Sequence, residues 1–162
     1  SISVIDKPDI IKGMGSQMFD SEGVNSNTLK LIEDGILKNY LLDTYNGKKL
    51  NLKSNGRSGG TTNLYFENGN ISYEDLMSKN SRSLYITETI GHGSNLVTGD
   101  YSVGATGFLV EDGEFKHPVN EITIACNFKD MFKNIILAND LDFEYSVNSP
   151  TMMIEGMTVA GK

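Results

Sequence analysis

Cysteine, histidine and tryptophan are scarce in this sequence, and long apolar runs are missing. The 162 residues include one cysteine, two histidines and no tryptophan. A single cysteine, Cys126, cannot form an internal disulfide, which indicates a reducing compartment. No apolar run is long enough to cross a bilayer, and no basic and then apolar leader opens the chain. We therefore expect a cytoplasmic protein without a membrane partner, and the length predicts one β-rich domain over residues 1–162.

Positive charge is also in short supply. The chain carries 14 Lys and Arg against 21 Asp and Glu, which gives a formal net charge of −7. Binding to nucleic acid depends on clusters of Lys and Arg that displace counterions from phosphates. The nearest approach to such a cluster, Lys48, Lys49 and Lys53, is too sparse for that role. The charge therefore argues against nucleic acid as a partner.

The few potential metal ligands are scattered. A catalytic zinc ion typically takes three protein ligands with support from neighbouring groups. His117 precedes Pro118, and Cys126 ends an apolar run, so neither spacing resembles a ligand pair. Cys126 is better explained as a small buried hydrophobe. We predict that this chain binds no metal and no other cofactor, and the sequence assigns it no catalytic residue.

Three turn signals of similar composition punctuate the chain. Asp34-Gly35, Asn68-Gly69 and Asp112-Gly113 each follow a glutamate and lie next to apolar residues. Asp-Gly and Asn-Gly dipeptides accept the positive φ that tight hairpins require. The first and third turns therefore predict antiparallel hairpins, whereas the residues after Gly69 soon become helical.

Two short helices and several further strands complete the predicted fold. Ser72 and Asp75 form a capping box for a helix near 72–80. Asn127 caps a second helix near 128–137, where five apolar residues fall at helical spacing. Further strands are expected at 3–5, 84–90, 121–125, 141–145 and 152–159. The predicted fold class is mainly β, α+β with few helices, in which antiparallel sheets built from hairpins form a sandwich or a barrel-like structure.

Two segments rich in small residues are predicted loops. Residues 54–63 consist largely of Ser, Asn, Gly and Thr, and we expect them to be mobile without a bound peptide or subunit. Residues 91–107 contain five glycines and begin where an apolar strand ends, which is a common place for functional loops.

Residues 91–107 allow several interpretations. A phosphate cradle would present glycine N–H groups to an anion, but the segment has no Lys or Arg. A hydrolase triad would use His92, Asp100 and either Ser94 or Ser102, but the strand–turn–helix that exposes such a nucleophile is missing. We favour a structural role, in which the ring of His92 fixes the glycine turn through a hydrogen bond.

Glu88 occupies an unusual position in the predicted strand 84–90. Strict alternation places it on the same face as Leu84, Ile86 and Ile90. A carboxylate on an apolar face needs a partner or a raised pKa. The alternative, which we favour, is that the end of the strand is exposed.

Several collinear segments resemble the PmbA/TldE proteins, a branch of the TldD/PmbA family whose members are called modulators of DNA gyrase. The resemblance covers essentially the whole chain. It rests on the segments DKPDIIKGMGSQMFDSEGV, SGGTTNLYFENG, TETIGHGSNLVTGDYSVGATGF, HPVNEITIACNFKDMFKNI with the following NDLDF, and PTMMIEGMTVAG. Full-length members of the family are considerably longer and carry an α/β part ahead of this region.

The resemblance implies a carboxyl-terminal domain of one subunit in a cytoplasmic proteolytic complex. TldD-type subunits hold the metal with an HExxxH helix and a cysteine near the carboxyl terminus. This chain contains no HExxxH, and no cysteine separates Asp140 from Pro150. It therefore resembles the metal-free PmbA/TldE type, and whether the chain takes part in catalysis is left open.

The resemblance also implies partners and a candidate surface. The expected partners are a TldD-type subunit, or a second copy of this chain, and an unfolded peptide substrate. The alternative is a non-enzymatic interaction module that modulates DNA gyrase or another protein. The residues that match the family motif, and are expected to shape a cleft or a subunit interface, are Gly91, His92, Gly93, Asn95, Thr98, Gly99, Asp100 and Gly107.

Overall fold

The computed structural model describes residues 2–161, which divide into two compact units. The first unit runs up to Gly69 and includes Asp140–Thr151, and the second contains Asn70–Asn139 and the residues from Met152 onward. About 40% of the chain is strand and 10% is helix, which confirms the mainly β fold. None of the sheets in the described residues closes into a barrel. That the whole chain forms one domain stays a prediction.

The first unit is built on a five-stranded sheet. Its strands lie in the order β3-β2-β1-β4-β9, and every pair is antiparallel except β4 with β9. A six-residue helix, α1, lies between β3 and β4 in the sequence. The elements are β1 (Val4–Asp6), β2 (Leu29–Glu33), β3 (Ile36–Leu37), α1 (Thr44–Lys49), β4 (Leu64–Phe66) and β9 (Val147–Asn148).

The second unit contains a four-stranded antiparallel sheet in the order β11-β7-β6-β5 and a pair formed by β10 and β8. Its core joins Val103, Ala105, Ile122 and Ile124, which alternate along the two longest strands. The elements are α2 (Tyr73–Ser78), β5 (Arg82–Ile90), β6 (Asp100–Glu111), β7 (Glu114–Asn127), α3 (Phe128–Met131), β8 (Ile135–Leu137), β10 (Met152–Ile154) and β11 (Thr158–Ala160).

Both predicted hairpins are present. Asp34 and Gly35 join β2 to β3 with φ of 52° and 79°, and Asp112 and Gly113 join β6 to β7 with φ of 51° and 81°. Positive φ at both central residues is the geometry that suits the right-handed twist of hairpin strands. The chain after Asn68-Gly69 becomes helical at Tyr73, as expected.

The first unit buries more polar and charged side chains than aliphatic ones. The buried polar or charged residues all lie there, and they are Asp6, Asp20, Ser26, Arg57, Thr62, Asn63 and Asn148. The buried Ile, Val, Leu and Met residues of this unit are few, namely Ile2, Val4, Ile5 and Leu42. Among the described residues, no buried side-chain N or O atom lacks a hydrogen-bond partner. The buried polar groups of this unit are therefore satisfied, and their hydrogen bonds hold particular segments in particular positions.

Arg57 and Asp6 form the centre of this network. Their side chains are fully buried and paired through Arg57 Nε and Asp6 Oδ2. The other Asp6 oxygen accepts hydrogen bonds from the N–H and hydroxyl of Thr62 at 2.7 and 2.8 Å. Arg57 also donates to the carbonyls of Gly56 at 2.9 Å and Asn27 at 2.7 Å. One buried ion pair thus ties β1 to the loop at 54–63.

The loop at 54–63 is anchored, in contrast to the expected mobility. Gly56, Arg57, Thr62 and Asn63 are buried, and a Cβ atom on Gly56 would overlap the backbone of Asn25. The prediction was wrong because it weighed the small residues and gave no weight to the single arginine among them.

The helix expected near 72–80 is confirmed as α2. Ser72 Oγ accepts a hydrogen bond from Asp75 N at 3.0 Å. The predicted cap at Asn127 is confirmed too, because its side-chain oxygen accepts from Lys129 N. The six-residue helix α1, capped by Asp43, was not predicted.

The second predicted helix is shorter than its apolar spacing indicated. α3 ends at Met131, and Ile135–Leu137 form β8, which pairs with Met152–Ile154. Two adjacent β-branched residues, Ile135 and Ile136, favour the extended conformation once a partner strand is available. Tertiary pairing has therefore overridden a helical pattern.

Two strand predictions fail for local reasons. No strand forms at 141–145, because the buried amide of Asn148 bonds to the N–H groups of Glu144 and Tyr145 and to the carbonyl of Tyr145. The segment 152–159 is two strands, because Gly156 adopts a φ of 80° between them. No helix in the described part of the chain has the length and apolar character needed to cross a membrane.

Candidate functional site

The loop between β5 and β6 brings most of the predicted site residues together. Residues 91–99 connect the two strands, and Asp100 begins β6. Gly107 does not belong to this group, because it lies seven residues further along β6, opposite Ile86. At about 3.3 Å per residue, that places it roughly 20 Å from the loop along the strand.

Asn95 organises the tip of the loop. Its side-chain oxygen accepts hydrogen bonds from the N–H groups of Val97 and Thr98 at 3.0 and 3.2 Å. Its backbone N–H donates to the carbonyl of Asp100, and its carbonyl accepts from Gly99, both at 2.8 Å. An Asn side chain that bonds to the backbone two and three residues ahead stabilises a tight turn.

Asp100 and Asn127 close the base of the loop. Thr98 Oγ1 donates to one Asp100 oxygen at 2.7 Å, and Asn127 Nδ2 donates to the other at 3.1 Å. Asn127 Nδ2 also reaches the carbonyl of Thr98 at 3.1 Å. The hydrogen bonds from Thr98 and then Asn127 lower the pKa of the Asp100 carboxyl below its ordinary value. Asn127 was expected only as a helix cap, and no local spacing in the sequence indicates its second role.

The glycines of the motif allow the chain to approach itself. A Cβ atom on Gly93 would overlap the carbonyl of Ser102, and one on Gly107 would overlap the carbonyl of Tyr85. Gly99 has a φ of 82°, where a β-branched residue would be strained. Gly93 and Gly107 therefore allow close contact with the neighbouring strand of the same chain. This contact explains the two glycines without a backbone from another chain.

His92 does not hold the turn as expected. Its side chain is exposed and makes no hydrogen bond to another residue in the described range 2–161. The hydrogen bonds of the loop come from Asn95, Asp100 and Asn127 instead. The tip carries two exposed apolar residues, Leu96 and Val97, which are 88% and 96% exposed.

A β-bulge explains the position of Glu88. Ile86 faces Gly107 and Glu88 faces Thr106, so Thr87 is an extra residue between them. The bulge reverses the alternation beyond Ile86, and Glu88 is exposed. The favoured reading of an exposed strand end is therefore confirmed.

Strand β5 forms a long free edge next to this loop. It is nine residues long, and in the four-stranded sheet it pairs only with β6. Residues 83–86 are half-buried and residues 87–90 are exposed. An outer strand presents a row of N–H and C=O groups that can pair with a further strand. The loop and this edge together form the candidate site.

The described residues do not fit a metal site. No group of three or more His, Cys, Asp or Glu side chains in the range 2–161 is close enough to hold an ion. His92 is exposed, His117 lies against the carbonyl of Pro118, and burial raises the pKa of the half-buried Cys126 thiol. That this chain binds no metal or cofactor stays a prediction.

Comparison with known proteins defines the class of this domain. Residues 1–161 match the family model described as the PmbA/TldA metallopeptidase C-terminal domain. The chain belongs to this PmbA/TldD family. The predicted resemblance is thereby confirmed.

Particular relatives point to the PmbA side of the family. A relative named metalloprotease PmbA homolog, from Buchnera aphidicola subsp. Baizongia pistaciae, is 44% identical over 99% of this chain and 36% of its own length. A crystal structure from Thermotoga maritima, of a protein proposed to be a modulator of a DNA gyrase, has a TM-score of 0.88 at 34% identity over 98% of this chain and 39% of that chain. The crystal structure of TldE from Thermococcus kodakarensis has a TM-score of 0.84 at 28% identity over 99% of this chain and 40% of that chain. The chain thus spans little more than a third of the relatives it matches.

Proposed function

We propose that this chain is the carboxyl-terminal domain of a metal-free, PmbA/TldE-type subunit. In this proposal the subunit pairs with a TldD-type subunit and holds an unfolded peptide while the partner cleaves it. The names of the relatives support membership of a proteolytic family. The resemblance to a TldE structure supports the type of subunit.

The sequence of the carboxyl-terminal region supports the metal-free assignment. TldD-type chains carry a metal-binding cysteine after the NDL motif, whereas residues 139–151 of this chain contain none. The single cysteine, Cys126, lies in β7, ahead of that motif. A role in positioning the substrate is therefore the one that these residues fit.

The free edge of β5 is the observation that carries the peptide-holding role. Addition of a peptide as a further strand uses backbone N–H and C=O groups and depends little on the peptide's sequence. β5 offers such an edge over nine residues. The adjoining loop is held by the internal bonds of Asn95 and Asp100 and needs little ordering on binding. An unfolded polypeptide, which has free backbone groups, is the ligand that fits this surface.

Peptides methylated on the backbone test this mode of binding. The binding of a fluorescein-labelled unfolded peptide to the full-length protein, without its partner, is followed by fluorescence anisotropy. One further peptide of the same sequence carries N-methyl groups on alternate residues, and another carries them on every residue. Since only every second N–H of an added strand points to the sheet, the alternately methylated peptide can still pair, after a shift of one residue where needed, whereas the fully methylated peptide should bind poorly. Equal binding of all three peptides would contradict strand addition.

A gyrase-modulating role is the second candidate, because the Thermotoga maritima structure is named for it. The net charge of −7 would allow the chain to imitate nucleic acid. The full-length protein, immobilised and exposed to cell extract, separates the two proposals. Retention of a TldD-type chain supports the peptidase proposal, whereas retention of gyrase subunits supports the alternative.

A further inference from the structure

A groove of about 480 Å3 lies on the first unit, away from the β5 edge in the sequence. One side is formed by residues 8–10 and 16–18, and the other by residues 25–28. Its volume is within the range of pockets that hold small ligands or a few residues of a peptide. The candidate site described above includes none of these residues.

The walls of the groove are fixed by buried side chains. Asn63 accepts a hydrogen bond from Gly15 N at 2.8 Å and donates to Ser16 Oγ at 2.9 Å. On the other side, the buried Ser26 donates to the carbonyl of Gly56 at 2.9 Å. A site whose walls are already ordered loses little conformational entropy when it binds a ligand.

Several polar side chains in the groove are free to bind a ligand. Asp9, Gln17 and Thr28 are exposed, and their side chains make no hydrogen bond or ion pair with other residues in the described range. Asn25 Nδ2 bonds to Asn27 Oδ1 at 3.0 Å, which leaves the carbonyl of Asn25 and the amino group of Asn27 available. Amide side chains both donate and accept, so they match the peptide backbone.

The apolar and charged lining narrows the class of ligand. Met18 lines the groove and is 80% exposed, and a thioether side chain adapts to apolar groups of many shapes. Among the ten described lining residues, Asp9 is the only charged one. No Lys or Arg lines the groove, so a phosphate or another anion finds no countercharge there. The carboxylate of Asp9, on a chain of net charge −7, favours a cationic ligand.

We propose that this groove binds an extended peptide segment in which a Lys or Arg lies beside apolar residues. Asp9 pairs with the cationic side chain, Gln17 and the Asn25–Asn27 pair bond to the peptide backbone, and Met18 covers the apolar side chains. This inference rests on the proposed function, because the groove would be a second holding site for the unfolded substrate. Unlike the β5 edge, it would prefer peptide segments with a Lys or Arg beside apolar residues.

A binding experiment on the full-length protein tests the groove. The probes are two short fluorescein-labelled peptides with Gly-Ser flanks, one with Leu-Lys-Met at its centre and one with Leu-Glu-Met. The dissociation constant of each is measured by anisotropy for the wild type, Asp9→Asn, Gln17→Ala and Met18→Ala. Glu155→Gln is the control, since it removes one exposed carboxylate from the second unit. Thermal unfolding checks that each variant is folded.

The proposal predicts a selective loss of affinity. The Lys peptide should bind the wild type and the control alike, and each groove variant about three- to tenfold more weakly, equivalent to roughly 0.7–1.4 kcal/mol. Asp9→Asn should also reduce the preference for the Lys peptide over the Glu peptide. If all variants bind the Lys peptide as the wild type does, the groove is not the site, although the β5 edge remains a holding site. If the wild type binds neither peptide, both this inference and the peptide-holding role of this chain are contradicted.

Discussion

Arg57 is the residue that most directly holds the first unit together. Its guanidinium lies at the meeting point of β1 and the loops that carry Asn27 and Gly56, and it is fully buried. A buried charge is costly unless its partners are all in place, so the network is sensitive to the removal of any one of them. Arg57 is the single basic residue in the loop at 54–63, so no neighbouring side chain of that loop could replace it.

Replacing Arg57 should therefore destabilise the domain strongly. Arg57→Met keeps much of the side-chain volume but leaves the carboxylate of Asp6 buried and unpaired. We expect the free energy of unfolding to fall by about 3–5 kcal/mol, measured by urea denaturation. Lys30→Met is the matched control, because it removes only an exposed ion pair with Glu33 and should leave the stability nearly unchanged. Similar stability of the two variants would show that the buried network is not essential.

The carboxylate of Asp100 should make the loop sensitive to acid. Hydrogen bonds from Thr98 and Asn127 lower its pKa in the folded state below the ordinary value of 3.8. Because the pKa of Asp100 is lower in the folded state, the ionised carboxylate stabilises the folded protein. This stabilisation is fully present above about pH 4 and is lost as the pH falls through the folded-state pKa. Asp100→Asn should accordingly lower Tm near neutral pH, and the difference from the wild type should shrink at lower pH. Glu155→Gln is the control, because the carboxylate of Glu155 has no hydrogen-bond partner among the described residues. Its Tm should differ little from that of the wild type at any of these pH values.

The loop between β5 and β6 depends on close backbone contact with β6. Gly93→Ala would place a Cβ atom on the carbonyl of Ser102, so the loop or the strand must shift. We expect a loss of about 1–3 kcal/mol in the free energy of unfolding, the usual range for overpacking. Gly104→Ala is the control within β6, because its Cβ would have ordinary contacts and its φ is not positive. Equal stability of the two variants would contradict the close contact.

The elements that the sequence predicted are those whose signal is local. Asp34-Gly35 and Asp112-Gly113 specify their turns through their own backbone preferences. Ser72 and Asn127 cap the helices that begin directly after them, because the N–H groups they bond to are two or three residues away. The errors come from contacts between distant residues. Ile135 and Ile136 form a strand because Met152–Ile154 lie beside them, and no periodicity of residues 128–137 contains that information.

In the candidate site, too, the local features were predictable from the sequence and the contacts between distant residues were not. The glycine-rich composition located the loop, and the mutual bonding of Asn95, Thr98 and Asp100 agrees with the turn chemistry of these residues. The hydrogen bond from Asn127 to Asp100, by contrast, joins residues 27 positions apart. Contacts of that separation depend on the assembled sheet and cannot be obtained from spacing along the chain.

The chain as a whole presents many exposed apolar side chains. They are Ile11, Met14 and Met18 in the first unit, Ile90 in β5, Leu96 and Val97 in the loop that follows it, and Ile36 and Leu37 in β3, among others. Exposed apolar residues outside the groove and the β5 edge, such as Ile36 and Leu37, are expected to contact other parts of a longer protein or a partner. The relatives, of which this domain is little more than a third, have such parts.

Cleavage of an unfolded peptide by the reconstituted pair tests the proposed division of roles between the two subunits. The full-length protein, the TldD-type subunit from the same organism and an equimolar mixture are each incubated with the peptide, and the products are followed by mass spectrometry. The proposal of a metal-free, peptide-holding subunit predicts cleavage by the mixture that is lost on adding a chelator, and none by the full-length protein carrying this chain alone. Cleavage by this protein alone that persists without the TldD-type subunit would contradict it.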